Sequence, residues 1–266
     1  MKKCAISVIF SLVLVILSPS CHRPSAIKQL GIQFDTLHAD TTAMLLDTVV
    51  SPKCEVSLDI ITFQGERFAS VNDSVLRSGV LPPDYLSLSS RRLTPREAID
   101  SFIRRYVADY QSFYAGIFTD EQDTAALNTR LKVCTTVEDG CENVVSYLSK
   151  IRNEQGNLCN EYTVVKNIDM RTGRIVRLGD IFVPGYETGL NEAIVNQLGK
   201  QTTIKGIDHL RGAGFFVNSE VYATPNFILG PKSITFVYVE GEIADREKGQ
   251  ISVEVDYSQL KHIMKR

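Results

Sequence analysis

From Lys53 onward the chain alternates. Val56, Leu58 and Ile60 are interleaved with Ser57 and Asp59 and run into Ile61-Thr62-Phe63, the period of two that marks a strand with one buried face. Gln64-Gly65 ends it, and Phe68, Val71, Val75 and Leu76 then recur at helical spacing until Gly79 and Pro82-Pro83. Thr94-Pro95-Arg96-Glu97 supplies an N-cap, a proline at the first helical position and an acid in the first turn. Behind it Ile99, Phe102, Ile103, Tyr106, Val107, Tyr110 and Phe113 or Tyr114 return every three to four residues, which predicts the longest helix of the chain, with one face against a sheet.

Strand patterns resume at 128–138, 143–153 and 158–170. Asp139-Gly140 marks a hairpin, and Asn153 to Asn157 a longer turn. Tyr162, Val164, Ile168 and Met170 share a face, Thr172-Gly173 turns the chain, and Ile175 to Leu178 returns. A helix follows Pro184-Gly185 from about 187 to 198, with Leu190, Ile194, Val195 and Leu198 inward and Gly199 at its C-cap. The last third offers strands at 226–229, 233–239 and 251–257, then a short helix from Ser258. Short turns join antiparallel neighbours, so the expected fold is α+β: an antiparallel sheet packed by helices in two intimately packed subdomains, residues 51–130 and 131–266.

The first fifty residues read differently. Lys2 and Lys3 precede an apolar run from Ala5 to Leu17, and Ser18-Pro19-Ser20-Cys21 follows. This is the layout of an export signal over 1–20, with Cys21 where a bacterial lipoprotein carries its lipid. Residues 21–50 read as a tether with little periodicity, in which Ala43-Met44-Leu45-Leu46 and Val49-Val50 are apolar enough to add a strand. Loss of Lys2 and Lys3 leaves 27 basic against 31 acidic side chains and moves the formal charge from -2 to -4. A mildly acidic surface excludes nucleic acid, whose phosphates demand a basic face.

Six cysteines reduce to four once Cys4 leaves with the leader and Cys21 is lipidated. Cys54, Cys134, Cys141 and Cys159 are candidates for disulfides in an oxidising compartment, with free thiols the alternative. None has C-x-x-C spacing, so no metal is expected, and nothing points to a cofactor.

Asn167-Ile168-Asp169-Met170-Arg171-Thr172-Gly173-Arg174, then Leu178-Gly179-Asp180-Ile181-Phe182 and a helix, resemble the strand, Thr-Gly-Lys turn and Leu-x-Asp-Ile/Leu-Phe signature of the RsiV-like family. Asn226-Phe227-Ile228-Leu229-Gly230, Ile234-Thr235-Phe236, Ile243-Ala244, Gly249 and Val253 to Leu260 resemble its closing strands. The resemblance covers roughly 130 to 262. It implies an α+β domain of exported or anchored proteins, among them an anti-sigma factor that binds lysozyme and a peptidoglycan deacetylase that carries the domain as an accessory. The chain has Gly156-Asn157-Leu158-Cys159-Asn160 where relatives often carry Gly-Gly-Ala-His, so no role resting on that histidine transfers.

Chemistry is sparse. The four histidines, His22, His38, His209 and His262, are scattered and no nucleophile elbow seats a serine. Gly206, Gly212 and Gly214 do not have phosphate-loop spacing. The aromatics Tyr106, Tyr110, Phe113, Tyr114 and Phe118 have the spacing of core packing rather than of a ligand platform. Glu240, Glu242, Asp245 and Glu247 make the densest acidic stretch, read as a wet hairpin loop or as a docking surface for a cationic protein. The function expected is a lipid-anchored, non-catalytic binding module of the cell envelope that recognises a lysozyme-like protein or peptidoglycan. A cell-wall hydrolase or deacetylase, or a structural subunit of an envelope complex, are the alternatives.

Overall fold

The computed structural model describes residues 26–46, 51–88, 91–118 and 124–265. The leader over 1–20 and Cys21 lie outside the described residues. After a one-turn helix α1 (Ala26–Gln29) come β1 (Phe34–Met44), β2 (Lys53–Phe63), α2 (Ala69–Leu76) and α3 (Pro95–Ala115). Next are β3 (Thr129–Asp139), β4 (Val144–Gln155), β5 (Leu158–Asp169) and β6 (Arg174–Val176). The chain continues with α4 (Leu178–Ile181), α5 (Glu187–Thr202), α6 (Ile207–Gly212), β7 (Phe227–Leu229), β8 (Ser233–Tyr238), β9 (Ile251–Asp256) and α7 (Tyr257–Leu260).

The protein is α+β. The first six strands form one sheet in chain order, and β7-β8-β9 form a second. All pairs are antiparallel except β2 and β3, which run parallel with Cys54 opposite Thr129. The expectation of a wholly antiparallel sheet is corrected there, because α2 and α3 carry the chain back across the sheet before β3 begins. Helix α3 starts as the sequence predicts: Thr94 Oγ1 accepts from the Glu97 amide at 3.3 Å, and the Glu97 carboxylate accepts from the Thr94 amide at 2.8 Å, a reciprocal capping box. Its Ile99, Phe102, Tyr106 and Tyr110 are buried beside Val56, Leu58 and Ile60 of β2.

Three further expectations change. The second half of the 21–50 tether is a strand: β1 pairs along its whole length with β2, from Phe34 opposite Phe63 to Met44 opposite Lys53. Leu37 and Ala39 pack on the core while His38 and Asp40 stay exposed, so an edge strand forms with few apolar residues. The division of the molecule moves as well. One core gathers Ile32 to Met170 and the other Leu178 to Ile263, so the break falls between β5 and α4 rather than at 130. Finally, α5 runs through Gly199 to a left-handed Thr203 (φ 61°). Gly199 is needed for space, since a Cβ there would lie 2.5 Å from the Ile204 carbonyl oxygen.

The wet face of the large sheet carries a cross-strand charge ladder. Glu55 meets Arg130 at 2.7 Å, Arg130 meets Glu154 at 3.3 Å, Arg152 meets Glu154 at 2.7 Å, and Lys150 meets Glu161 at 2.7 Å. Hydrogen bonds from Lys53 and Arg130 hold the Glu55 carboxyl below its ordinary range, and one from Lys150 does the same for Glu161.

The two sheets are joined by two asparagines that act as extra peptide groups. Asn167 on β5 donates to the Phe227 carbonyl at 2.7 Å and accepts from the Leu229 amide at 3.0 Å. Asn226, just before β7, donates to the Thr163 carbonyl at 2.8 Å and accepts from the Val165 amide at 2.6 Å. Each side chain thus satisfies two backbone groups of the other strand, spaced two residues apart. Asn167 is 2% exposed and also accepts from Ser146 Oγ at 2.7 Å. Gly140 sits at the same junction, where a Cβ would meet the Val144 and Leu229 carbonyl oxygens at 2.7 and 2.8 Å.

Asn167→Asp exchanges a needed donor for a buried charge and should destabilise the protein by roughly 3 kcal/mol or more near neutral pH, with part of the loss recovered in acid as the carboxyl takes a proton. Urea unfolding at two pH values checks this, and an unchanged midpoint at both would show the clamp to be dispensable. Burial raises the phenol pKa of Tyr147, Tyr238 and Tyr257. Folded pKa values above the unfolded value of about 10 give stability that is complete below that pH and lost above it. Tyrosinate absorbance should therefore appear together with loss of structure in alkaline titration, and titration of these phenols in the intact fold near pH 10 would contradict the assignment.

Candidate functional site

Helix α5 begins after Pro184-Gly185, where Gly185 has φ 81° and Phe182 stacks on Tyr186 at 5.2 Å. Leu190, Ala193, Ile194 and Leu198 turn inward and are buried against the small sheet. The helix therefore presents Thr188, Asn191, Glu192, Val195 and Asn196 outward.

Along that outward side runs a groove built of two clefts, about 600 and 650 Å³, which share Val195 and Asn196. Its opposite wall is α6 with the segments 203–206 and 220–221. The close approach of Ile204 to Gly199 brings the first of these segments down, and a 2.8 Å hydrogen bond from Asn191 Nδ2 to the Val221 carbonyl holds the second. Val195, Ile204, Ile207 and Val221 are half-buried and line the groove with aliphatic surface. Polar groups rim it: Glu192, Asn196 and the Arg211–Glu220 pair at 3.7 Å toward one end, Lys200, Lys205 and Gln259 toward the other. Among the described residues its lining contains no histidine, cysteine or aromatic ring.

The acidic stretch lies elsewhere. Glu242 is committed to the fold: one carboxylate oxygen accepts from Tyr222 Oη at 2.7 Å and the other from the Val239 amide at 2.7 Å. Burial, and then this bond to Glu242, raise the Tyr222 pKa. Asp245 lines a cleft of about 210 Å³ beside Phe216, a buried residue held at φ 51°. Glu240 is half-buried and Glu247 exposed. Cations interleave with them: Arg246 reaches Asn160 at 3.3 Å and Lys248 lies over the Phe215 ring at 5.3 Å. The stretch is a mixed-charge loop in which one carboxylate is structural.

Of the two readings left open for Cys54, Cys134, Cys141 and Cys159, disulfide or free thiol, the structure has all four free. Cys54 faces the core while Cys134 lies on the wet face, and the register sets them five positions apart along paired strands, roughly 16 Å at strand rise. That is far beyond disulfide reach. Burial, then the nearby Glu55 charge, push the Cys54 thiol up to about 11. His38 Nδ1 lies 2.6 Å from Asp59 Oδ1, and Asp59 is opposite Cys134 across the parallel pair. The carboxylate therefore stands between imidazole and thiol, whereas a nucleophilic triad needs the imidazole in the middle. His209 Nδ1 meets the Lys205 carbonyl at 3.0 Å. Among the described residues no group of three His, Cys, Asp or Glu side chains converges to hold a metal, and no helix is long and apolar enough to cross a membrane.

Residues 179–258 match the family model described as a protein of unknown function, DUF3298. No curated protein matches the chain by sequence. Among solved structures the chain is similar to a DUF3298 family member from Bacteroides fragilis, with a TM-score of 0.76 at 20% identity over 88% of this chain and 94% of that one. It is also similar to a DUF3298 family protein from Pseudomonas aeruginosa, with a TM-score of 0.59 at 14% identity over 88% and 95%. At such identities the likeness is one of fold, and it spans both sheets and nearly the whole of each relative.

Glu242→Ala should cost about 1–3 kcal/mol, since it strands the Tyr222 hydroxyl and the Val239 amide. Glu240→Ala and Glu247→Ala should stay within about 0.5 kcal/mol of the parent. Thermal melts of the three variants check the distinction.

Proposed function

We propose that this protein is a lipid-anchored, non-catalytic binding module of the cell envelope, which holds an extended polypeptide segment of an envelope partner in the α5 groove. The observation that carries the reading is the groove itself: an aliphatic floor between two polar rims, long enough to follow several turns of α5. Concave sites of this kind take their affinity from apolar contact and their orientation from a few placed polar groups. A protein segment fits better than a glycan, because sugar faces favour aromatic platforms and the floor is Val195, Ile204, Ile207 and Val221. The resemblance to the RsiV-like family, with its lysozyme-binding member, supports a protein partner, and the leader ending at Cys21 supports an anchored location.

The test places a charge on the floor. Val195→Glu should weaken capture of a lysozyme-type protein at least tenfold while leaving the melting temperature near that of the parent. Retention on isolated peptidoglycan in place of protein would move the assignment to the cell wall, and turnover of peptidoglycan by the parent would replace the binding reading with the hydrolytic one. Location has a separate check: labelled fatty acid should be incorporated by the parent and lost in Cys21→Ala.

A further inference from the structure

A further cleft, of about 400 Å³, lies where the β5–β6 hairpin meets α2. Ser70, Ser74, Thr172, Gly173, Arg174, Ile175, Arg177 and Asp180 line it. Its composition runs against that of the chain, which is net acidic. Arg77, Arg105, Arg130, Arg152 and Arg211 each have a carboxylate partner. Arg171, Arg174 and Arg177 have none within ion-pair distance among the described residues, as is also true of Arg67, Arg92, Arg96, Arg104 and Arg246, but these three fall within seven positions of one hairpin and its exit. The two carboxylates nearest in sequence are occupied by backbone. Asp169 accepts from the Arg171 amide at 2.8 Å, and Asp180 accepts from the Arg177 amide at 2.8 Å.

The architecture brings hydroxyls to these cations. Gly173 takes φ 71°, and a Cβ there would lie 3.3 Å from Val71 and 3.5 Å from Ser70 Oγ, so the hairpin tip rests directly on the first turns of α2. Ser70 and Ser74 are one helical turn apart on α2, and both line the cleft. Lys166, half-buried on β5, lies close enough to Arg177 for their charges to interact. Burial first and then the Arg177 charge lower its pKa, against the opposing pull of Asp84.

We propose that this cleft binds a phosphate group, either free or as the headgroup of a phospholipid. Arg174 and Arg177, with Ser70, Ser74 and Thr172, line the cleft from α2, the hairpin and the residues leading into α4. Donors that converge from several directions match a tetrahedral oxyanion better than a planar carboxylate, and arginine is the side chain best suited to engage two oxygens at once. Asp180 on the rim favours a singly charged phosphodiester over a dianion, because it repels excess negative charge.

The experiment titrates the purified full chain with inorganic phosphate and with the soluble diester glycerophosphoglycerol, and measures its partition to phosphatidylglycerol against phosphatidylcholine nanodiscs, so that any anchor contribution is common to both lipids. Arg174→Gln with Arg177→Gln should weaken binding at least tenfold. Ser70→Ala with Ser74→Ala should weaken it about threefold to tenfold with no change in charge. Lys232→Gln with Lys261→Gln, on the other lobe, should leave it within twofold, and melting temperatures establish that each variant is folded. Binding of the soluble phosphates supports a free ligand, and a preference for phosphatidylglycerol that is lost in the arginine pair and kept in the lysine pair supports a headgroup. Equal losses in the arginine and lysine pairs, an unaltered serine pair, or no binding to any of these probes would overturn the proposal.

Discussion

The structure turns on a hydrogen-bond exchange between strands that do not belong to the same sheet. Asn167 reads the backbone of β7 and Asn226 reads that of β5, so two sheets with separate cores share a seam without sharing a ladder. The geometry is reciprocal, and each amide supplies both a donor and an acceptor, as a peptide group does. Hydrophobic contact alone holds surfaces together without fixing their register. The asparagine pair sets the register, because a one-residue shift would put every one of these buried groups out of reach of its partner.

Everything that concerns function is placed by this seam. It sets β7 beside β5, β7 carries β8 and β9, and α5 packs on β9. The groove along α5 belongs to the lobe of the small sheet, while the basic cleft lies where α2 and the β5–β6 hairpin meet the start of α4. The charge ladder across β2 to β5 occupies a face that neither site uses. Its pairs are exposed, so it contributes solubility and strand order rather than much stability.

Much of this is legible in the chain because local chemistry decides it. The Thr94-Pro95-Glu97 cap, the alternation in β2 and β9, and the Thr172-Gly173 turn each involve residues close in sequence, and each forms where its pattern places it. Asn226 stands in the stretch that resembles a family's closing strands, yet its partner lies some sixty residues away, and no local signal reveals the pairing. Strand β1 is hidden for another reason: Thr36, His38, Asp40 and Thr42 face away from the core, and an edge strand wetted in this way resembles a linker. The parallel pairing of β2 with β3 and the walls of the α5 groove arise from segments joined only by the fold. Gly199 shows the limit most plainly, since glycine at the end of a periodic run signals a cap and here instead admits a neighbouring carbonyl.

The crossover between β2 and β3 has a consequence for how the chain acquires its shape. Strands β3, β4 and β5 are joined by short turns and assemble at little entropic cost, whereas β2 must close a loop of about seventy residues to find its place beside β3. A nascent polypeptide emerges amino-terminus first, so β2 is made before the strand that occupies its inner edge. Until β3 arrives, that edge offers unpaired backbone groups to any other strand.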